Sequence, residues 1–327
     1  MAALIDGYGR RFPYLRLSLI EACNFRCSYC LPRGYQPRPG LAPLLTVAEI
    51  GRLVRAFARL GMSKLRLTGG EPSLRHDLSE IIAAVAAVPG VAKVALTSNG
   101  VLLQRRIAEW QAAGLTHLNV SVDALDRARF AAITGHDRLP QILDGIERAL
   151  ALGLTAVKLN AVLLRGLNDD QLPAFLDYVR TRRVGLRFIE LMQTGDNLAY
   201  FRRHHYRAET LEQTLLAQGW QLHPRAPDAG PARDYAHPDY AGHIGIIAPY
   251  SRDFCAGCNR LRVTAAGDLR LCLFGNAGIP LRQLLQADAQ ANELQATLIS
   301  QLGLKAAGHG LHRGETGVTP HLASIGG

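Results

Sequence analysis

Three cysteines near the N-terminus have the spacing of a metal centre. Cys23, Cys27 and Cys30 follow the pattern C-x3-C-x2-C, and no fourth cysteine or histidine follows closely. Structural zinc sites and ordinary iron–sulfur sites take four protein ligands. Three thiolates can hold three irons of a [4Fe–4S] cluster and leave the fourth iron to a small molecule with an amine and a carboxylate. The alternatives are a zinc site with a distant fourth ligand and a set of buried free thiols.

A second group of cysteines also lacks a fourth member. Cys255, Cys258 and Cys272 follow the pattern C-x2-C-x13-C, and these two triads contain every cysteine of the chain. The second triad could hold another [4Fe–4S] cluster with an open iron, or a zinc ion with His237 or His243 as the fourth ligand. In a reducing compartment we expect metal ligands rather than disulfides.

Two arginines follow the second triad directly. Arg260 and Arg262 are two positions apart, so a strand would place both guanidinium groups on one face. Guanidinium groups suit an anionic substrate. The net charge of +10 also suits a polyanion, either nucleic acid or a small nucleotide. Because the sequence has no RNA-binding signature and no paired-histidine finger spacing, we expect the small polyanion and no nucleic acid.

The elements that must position these residues form a repeating pattern. Short apolar segments alternate with amphipathic ones between residue 14 and about residue 190, which predicts parallel βαβ units. Six units are two fewer than a closed barrel has, so we predict an α/β fold with an incomplete (βα)6 barrel of the TIM type. The active site of such a barrel lies at the carboxyl ends of its strands. The predicted strands are 14–20, 64–68, 91–97, 117–121, 155–163 and 184–190, and the predicted helices are 46–60, 77–88, 102–113, 126–133, 139–152 and 169–182.

The chain changes character beyond residue 195. Residues 223–239 contain four prolines and predict a loop or linker. A strand at 244–250, a hairpin through Gly267 and helical segments between 279 and 302 follow. We place the barrel at 1–222 and a C-terminal region with the second cluster at 223–327. No segment has the roughly 20 apolar residues of a membrane helix, and no signal peptide is visible, so we expect a cytoplasmic protein.

Seven segments together carry a resemblance to a known family. They are residues 15–18, 23–30, 66–72, 119–123, 187–192, 254–262 and the final Gly326-Gly327. From about residue 4 to its end, the sequence resembles the GTP 3′,8-cyclase family of molybdenum cofactor biosynthesis, within the radical S-adenosylmethionine superfamily. One departure is Ser98, where a second threonine is more usual.

The resemblance implies two [4Fe–4S] clusters and S-adenosyl-L-methionine as cofactors. It implies that a 5′-deoxyadenosyl radical removes hydrogen from C3′ of GTP, that the carbon radical attacks C8, and that a reduction completes the product. The S-adenosylmethionine site would be lined by Tyr29, Gly70, Ser121 and Met192. The GTP site would contain Arg16, Arg66, Thr97, Lys158, Arg260, Leu261 and Arg262. The residues assigned to catalysis are Arg260, Arg262, Gly326 and Gly327.

The resemblance also implies partners. These are GTP as substrate, cyclic pyranopterin monophosphate synthase as the downstream enzyme, a reductant of the flavodoxin or ferredoxin type, and a second copy of the chain in a homodimer. Two rivals remain, namely a peptide-modifying maturase of the same superfamily and a zinc-bearing nucleic-acid binder.

Several conspicuous residues have simpler explanations. We expect His204 and His205 at the surface and Trp110 and Trp220 in the core. Asp123 and Glu190 could either orient cationic groups or form buried hydrogen bonds.

Overall fold

Six parallel strands form the centre of the molecule. The structure is a computed structural model that describes residues 3–37, 40, 42–226 and 228–326. The six strands are neighbours in the order in which they occur along the chain, which confirms the predicted incomplete barrel. They are β1 (Tyr14–Ser18), β2 (Lys64–Thr68), β3 (Lys93–Ser98), β4 (His117–Ser121), β5 (Ala156–Leu163) and β6 (Gly185–Glu190).

Helices connect the strands and cover their outer side. Each lies close to its predicted position: α1 (Val47–Arg59), α2 (Leu78–Ala86), α3 (Leu103–Ala112), α4 (Arg127–Thr134), α5 (Leu139–Ala151) and α6 (Leu172–Thr181). Trp110 on α3 and Trp220 are both buried, which confirms their assignment to the core.

Apolar and charged side chains alternate along the strands, so that one face packs in the hydrophobic core and the other lines the interior cavity. In β1, Leu15 and Leu17 are fully buried in the hydrophobic core, whereas Arg16 between them lines the cavity inside the barrel. The neighbouring strand repeats the pattern, because Arg66 pairs in register with Arg16. Successive side chains of a strand point to opposite faces. The short sequence Leu-Arg-Leu therefore supplies both a packing face and a charged face.

The part of the chain beyond β6 extends the sheet at both edges. The segment contains helices α7 (Leu198–His204) and α8 (Ala208–Ala217), then β7 (Gln221–Leu222), β8 (Arg233–Ala236), β9 (His243–Ile247), β10 (Arg260–Val263), β11 (Asp268–Arg270), β12 (Ile279–Pro280) and α9 (Ala291–Leu302). Strand β10 pairs in parallel with β1, and β9 pairs in parallel with β6. The order of the twelve strands is β12-β11-β10-β1-β2-β3-β4-β5-β6-β9-β8-β7.

Some sequence-based predictions for this region are wrong. The prolines of 223–239 suggested a linker, yet β8 lies within it and pairs antiparallel with β9. Residues 279–280 form a strand rather than part of a helix, because they pair with β11. The hairpin through Gly267 is confirmed by the pairing of Arg262 with Arg270.

The prediction that both neighbouring histidines lie at the surface is also wrong. His205 is only 19% exposed, and its Nε2 is 2.8 Å from Oε1 of the fully buried Glu190. Stacking of His205 on Phe201 holds the ring inward. His204 is half-buried, with its Nδ1 2.9 Å from the Arg165 carbonyl oxygen. Glu190 therefore has a buried hydrogen-bonding role. No helix among the described residues has the length and apolarity to cross a bilayer.

Helix α1 is fixed to the C-terminal region through its capping residue. Glu49 accepts a hydrogen bond from the backbone N–H of Thr46 at 2.8 Å, and Thr46 Oγ1 accepts one from Glu49 N–H, so the two residues form a capping box. Arg282 donates to the same carboxylate at 2.9 Å. Burial alone would raise the pKa of Glu49, but these hydrogen bonds outweigh it and lower the pKa to about 2.

We expect the substitution Glu49→Gln to weaken the fold. Glutamine can still accept the hydrogen bond from the Thr46 N–H, but the variant loses the negative charge that pairs with Arg282, so the free energy of unfolding at pH 7 should fall by about 2 kcal/mol. Urea unfolding of the reconstituted protein measures the change. Glu293→Gln, at an exposed position of α9, is the control and should change stability by less than about 0.5 kcal/mol. Equal stability of both variants would contradict the proposed connection.

Candidate active site

The two cysteine triads lie at opposite ends of the strand layer. Cys23 follows the carboxyl end of β1, whereas Cys258 lies two positions before the amino end of β10. Because β1 and β10 are parallel, these positions are at opposite ends of the sheet. Cys272 lies at the same end as Cys258, because it follows β11, which runs antiparallel to β10. A cavity inside the barrel is lined by all three cysteines of the second triad and extends to Met192, beyond the carboxyl end of β6.

The turn after β2 supports the loop of the first triad. Gly70 N–H donates to the Ile20 carbonyl at 2.8 Å, and Glu71 N–H donates to Ala22 at 2.8 Å. A Cβ atom on Gly70 would lie 2.3 Å from the carbonyl oxygens of Glu21 and Ala22. Only glycine allows the two backbones to approach this closely. Gly70 therefore has a structural reason to be present, beside any contact with a cofactor.

The thiols of both triads are free and half-buried. Burial raises the pKa of Cys23 to about 11 and that of Cys30 to about 12. Thiolate ligands at these positions therefore require a bound metal to stabilise their charge. The described residues include no three His, Cys, Asp or Glu side chains gathered for a single metal ion. A [4Fe–4S] cluster takes each ligand on a separate iron, and the two triads fit two such clusters.

The histidines considered as zinc ligands have other neighbours. His237 packs between Trp220 and Tyr240, with ring centroids 5.6 and 5.2 Å away. His243 lies against Gly185 at the amino end of β6. In the described part of the chain, neither ring lines the cavity that contains the second triad.

Tyr29 is held in place by a buried carboxylate. Its hydroxyl donates to Asp123 Oδ2 at 3.0 Å, and Asp123 Oδ1 accepts from the Val162 backbone N–H at 2.9 Å. Burial raises the pKa of Asp123 to about 6. Of the two roles considered for Asp123, the structure shows the buried hydrogen-bonding one. Ser121, the last residue of β4, is half-buried next to Asn160 of β5.

Positive charges are concentrated in the interior of the barrel. Arg16 and Arg262 are register partners on adjacent strands, and Arg66 donates to Thr97 Oγ1 at 2.8 Å. Arg260 lies over the Phe254 ring at 5.7 Å. The predicted substrate residues in this cavity are Arg16, Arg66, Thr97, Arg260 and Arg262.

Two predicted substrate residues lie elsewhere. Lys158 lines an adjoining depression of about 800 Å³ at the amino ends of the strands, which shares Lys64 and Arg187 with the cavity. Leu261 is buried in the hydrophobic core, so its backbone is the only part that could contact a nucleotide. Gly327 lies outside the described residues.

Burial lowers the pKa values of several basic side chains in and beside the cavity. Desolvation lowers the pKa of Lys158 to about 7 and that of Arg16 to about 10. Tyr14 lies among them and its hydroxyl accepts a short hydrogen bond from Arg66 Nε. Burial favours the neutral phenol, but the charges of Arg66, Arg16 and Lys64 outweigh it and lower the pKa of Tyr14 to about 6. A group of desolvated cations favours a polyanionic ligand.

The C-terminal tail enters the same cavity. The Gly326 carbonyl oxygen accepts hydrogen bonds from Arg16 at 2.8 Å and from Arg262 at 2.9 Å. Gly326 has a φ of 66°, and a Cβ atom there would lie 2.2 Å from Cγ2 of Thr68. The tail thus places one carbonyl oxygen between two arginines that are predicted to bind the substrate.

Sequence reasoning missed several cavity residues. Tyr14 and Lys64 line the interior but belong to no motif that suggested chemistry. Arg187 also lines it and lies in the segment 187–192 that carries the family resemblance, but no role was assigned to it. Alternation along the strands was the available signal, because Tyr14 and Arg187 share the inward face with Arg16 and Asn160 in register. Lys305 and His309 lie beyond α9, where no periodic pattern pointed to the cavity.

Two family models match the chain. The Radical SAM superfamily model matches residues 17–179, and the Molybdenum Cofactor Synthesis C model matches residues 184–311. A GTP 3′,8-cyclase of Stenotrophomonas maltophilia strain K279a is 69% identical over 327 residues, which is the full length of both chains. The chain belongs to the GTP 3′,8-cyclase family.

Other members of the GTP 3′,8-cyclase family show similar coverage. The Aeromonas hydrophila protein of that name is 56% identical over all of this chain and 97% of its own. The Vibrio cholerae strain O395 protein is 54% identical over 98% of this chain and 97% of its own. The family resemblance inferred from the seven segments is confirmed.

Solved structures with low sequence identity share the fold. Streptococcus suis SuiB bound to S-adenosylmethionine has a TM-score of 0.62 at 13% identity, covering 89% of this chain and 68% of that one. SuiB bound to its precursor peptide has a TM-score of 0.63 over 90% of this chain and 68% of that one. At this identity the likeness supports the radical S-adenosylmethionine fold alone.

We expect Gly326→Ala to disturb the tail. A methyl group would overlap the Thr68 side chain and strain a left-handed backbone, so the carbonyl would leave the two arginines. GTP-dependent formation of 5′-deoxyadenosine should fall at least tenfold. Gly303→Ala, at a right-handed helix end, is the control and should keep full activity. An active Gly326→Ala enzyme would show that the observed tail position is dispensable.

Proposed function

We propose that this chain catalyses the conversion of GTP to (8S)-3′,8-cyclo-7,8-dihydroguanosine 5′-triphosphate. This lyase reaction is the first step of molybdopterin and molybdenum cofactor biosynthesis. The proposal rests on one observation above all: the 69% identity to a named GTP 3′,8-cyclase extends over both complete chains. A cationic cavity that is lined by all three cysteines of the second triad supports it.

The first triad would hold the cluster that binds S-adenosylmethionine. When bound, these groups supply a 5′-deoxyadenosyl radical that removes the hydrogen of ribose C3′. The protein must keep the ribose close to that radical and exclude water. Tyr29, fixed by Asp123, together with Gly70, Ser121 and Met192, would line the cofactor site.

The cations would bind GTP at the end of the cavity that contains the second triad. Arg260 and Arg262 lie beside the second triad, where they would hold the guanine end near the open position of the second cluster. Lys64, Lys158 and Arg187 surround the opening at the amino ends of the strands, where they would hold the triphosphate. Charge-assisted hydrogen bonds far from the reacting carbon supply binding energy that fixes its position.

The proposal extends to partners and location. Each turnover needs electrons, which a reductant of the flavodoxin or ferredoxin type would supply. The product would pass to cyclic pyranopterin monophosphate synthase. We propose a cytoplasmic enzyme, since reduced thiols persist there, and a homodimer as its form in solution.

The activity is tested with the anaerobically reconstituted protein. Two four-iron clusters correspond to about eight irons per chain. The reduced protein should form 5′-deoxyadenosine and the cyclised nucleotide from S-adenosylmethionine and GTP, and not with ATP in place of GTP. Absence of GTP-dependent 5′-deoxyadenosine at full iron content would overturn the proposal, and zinc without iron would favour the rival zinc protein.

Arg262→Ala should weaken the use of GTP. The side chain is buried in the cavity, and loss of a charged donor to the nucleotide costs about 1.5–3 kcal/mol, or roughly 10- to 100-fold in kcat/KM. The spectrum of the first cluster should not change. Arg252→Ala, at an exposed position of the same segment, is the matched control, and an equal loss in both variants would contradict the assignment.

Lys158 should make GTP binding depend on pH. With a pKa lowered to about 7 by burial, the free side chain loses its charge as the pH rises through 7. The triphosphate binds the protonated form, so the KM for GTP should rise from pH 7 to 9. Lys158→Arg keeps its charge and should flatten this rise. Lys93→Arg, at an ion-paired lysine of the same depression, should leave the rise unchanged. A steep profile in the Lys158→Arg variant would refute the prediction.

A further inference from the structure

One buried arginine near the N-terminus connects three distant parts of the chain. Arg10 lies in a short segment that precedes β1, where Ile5 and Arg11 form an isolated antiparallel bridge. Its side chain is 8% exposed, and its partner Asp6 is fully buried. No motif of the sequence analysis includes Arg10, and it does not line the cavity.

The guanidinium group donates to three backbone carbonyl oxygens. Nη1 donates to Cys255 at 3.0 Å and to Ala307 at 2.7 Å, and Nη2 donates to Ala306 at 2.7 Å. Nε donates to Asp6 Oδ2 at 2.7 Å. The planar fork of arginine is suited to several acceptors at fixed angles, which a single ammonium group cannot reproduce.

Asp6 fixes the direction of this fork. Its Oδ1 accepts hydrogen bonds from the backbone N–H groups of Tyr8 and Arg10, each at 3.0 Å. The carboxylate therefore closes the turn and pairs with the guanidinium at the same time. The segment itself is attached to the barrel, since Leu4 N–H donates to the carbonyl of Leu60 at 3.2 Å.

The two segments held by Arg10 contact each other at a cysteine of the second triad. A Cβ atom on Gly308 would lie 3.8 Å from the Cys255 sulfur, so residues 306–309 cover this ligand directly. His309, the next residue, lines the cavity. Without the guanidinium, the carbonyl of Cys255 and those of Ala306 and Ala307 would face one another with no donor between them.

We propose that Arg10 is a positioning residue for the second iron–sulfur cluster. Its guanidinium holds the Cys255 loop and the covering segment 306–309 in the geometry in which the second triad binds its cluster. The inference rests on the proposed function only in assigning a cluster to this triad. The first triad, at the opposite end of the strands, does not depend on Arg10.

Arg10→Ala and Arg10→Lys test the proposal in the full-length chain after anaerobic reconstitution. Arg10→Ala should keep about four irons per chain, the content of one four-iron cluster, with S-adenosylmethionine binding unchanged. Arg10→Lys should give an intermediate iron content, because it keeps the charge and loses the fork. Arg11→Ala, at the exposed neighbour, should retain about eight irons.

Electron paramagnetic resonance separates positioning from general stability. In a background with Cys23, Cys27 and Cys30 replaced by serine, only the second cluster contributes a signal, and Arg10→Ala should abolish or broaden it. Full iron with an unchanged signal in Arg10→Ala would overturn the proposal. So would an equal loss of both clusters with a lower melting temperature, since that indicates a role in folding alone.

The iron and resonance measurements do not require turnover. If the parent protein binds both clusters but does not act on GTP, the proposed function fails while the role of Arg10 is still decided. If it acts on GTP and Arg10→Ala keeps both clusters, only the role of Arg10 fails.

Discussion

Arginine and lysine side chains buried inside a barrel lose their hydration, which is energetically unfavourable. The other features of this molecule compensate for that desolvation. Arg16, Arg66 and Arg262 share one cavity, where each guanidinium needs an acceptor. In the ligand-free chain these acceptors are internal: the Tyr14 hydroxyl, the Thr97 hydroxyl and the Gly326 carbonyl. A nucleotide triphosphate offers stronger acceptors and more negative charge, so the proposed binding of GTP here would replace weak partners with strong ones.

The parallel arrangement of strands determines where chemistry can occur. Residues that follow a strand lie at one end of the barrel and residues that precede a strand lie at the other. The first triad follows β1 and the second lies next to the start of β10, so the two sites are separated by the length of the strands. A ligand held at the second site must extend along the barrel to approach the first, as the proposed nucleotide would.

Much of this organisation could be predicted from the sequence, because strong local patterns coincided with the tertiary structure. The sequence pattern gave the bounds of β2 and β4 without error and placed the start of α1 within one residue. The failures have a shared physical cause. Strand β8 and the strand at 279–280 exist through pairing with β9 and β11, and short strands carry little signal of their own.

The site was predictable to the extent that it depended on motifs. Both triads and the arginines after the second one were identified from spacing, whereas Tyr14 and Lys64 become visible only when the pairing of β1 with β2 brings them together. His205 was misassigned because its burial depends on Glu190 and Phe201, which are distant from any pattern in its own neighbourhood. The role of Arg10 is the least predictable from local sequence, since its partners lie about 245 and 296 residues further along the chain.

The attachment of β9 and β10 to opposite edges of the sheet has a consequence for biogenesis. Until residues 243–263 have been synthesised, β1 and β6 are open edges, and the second triad does not exist in any folded form. Contacts between such distant residues form late, because closing a long loop costs entropy before pairing stabilises it. The first triad is complete by residue 30, whereas the second is complete only at Cys272. The connectivity therefore favours formation of the N-terminal metal site before the C-terminal one.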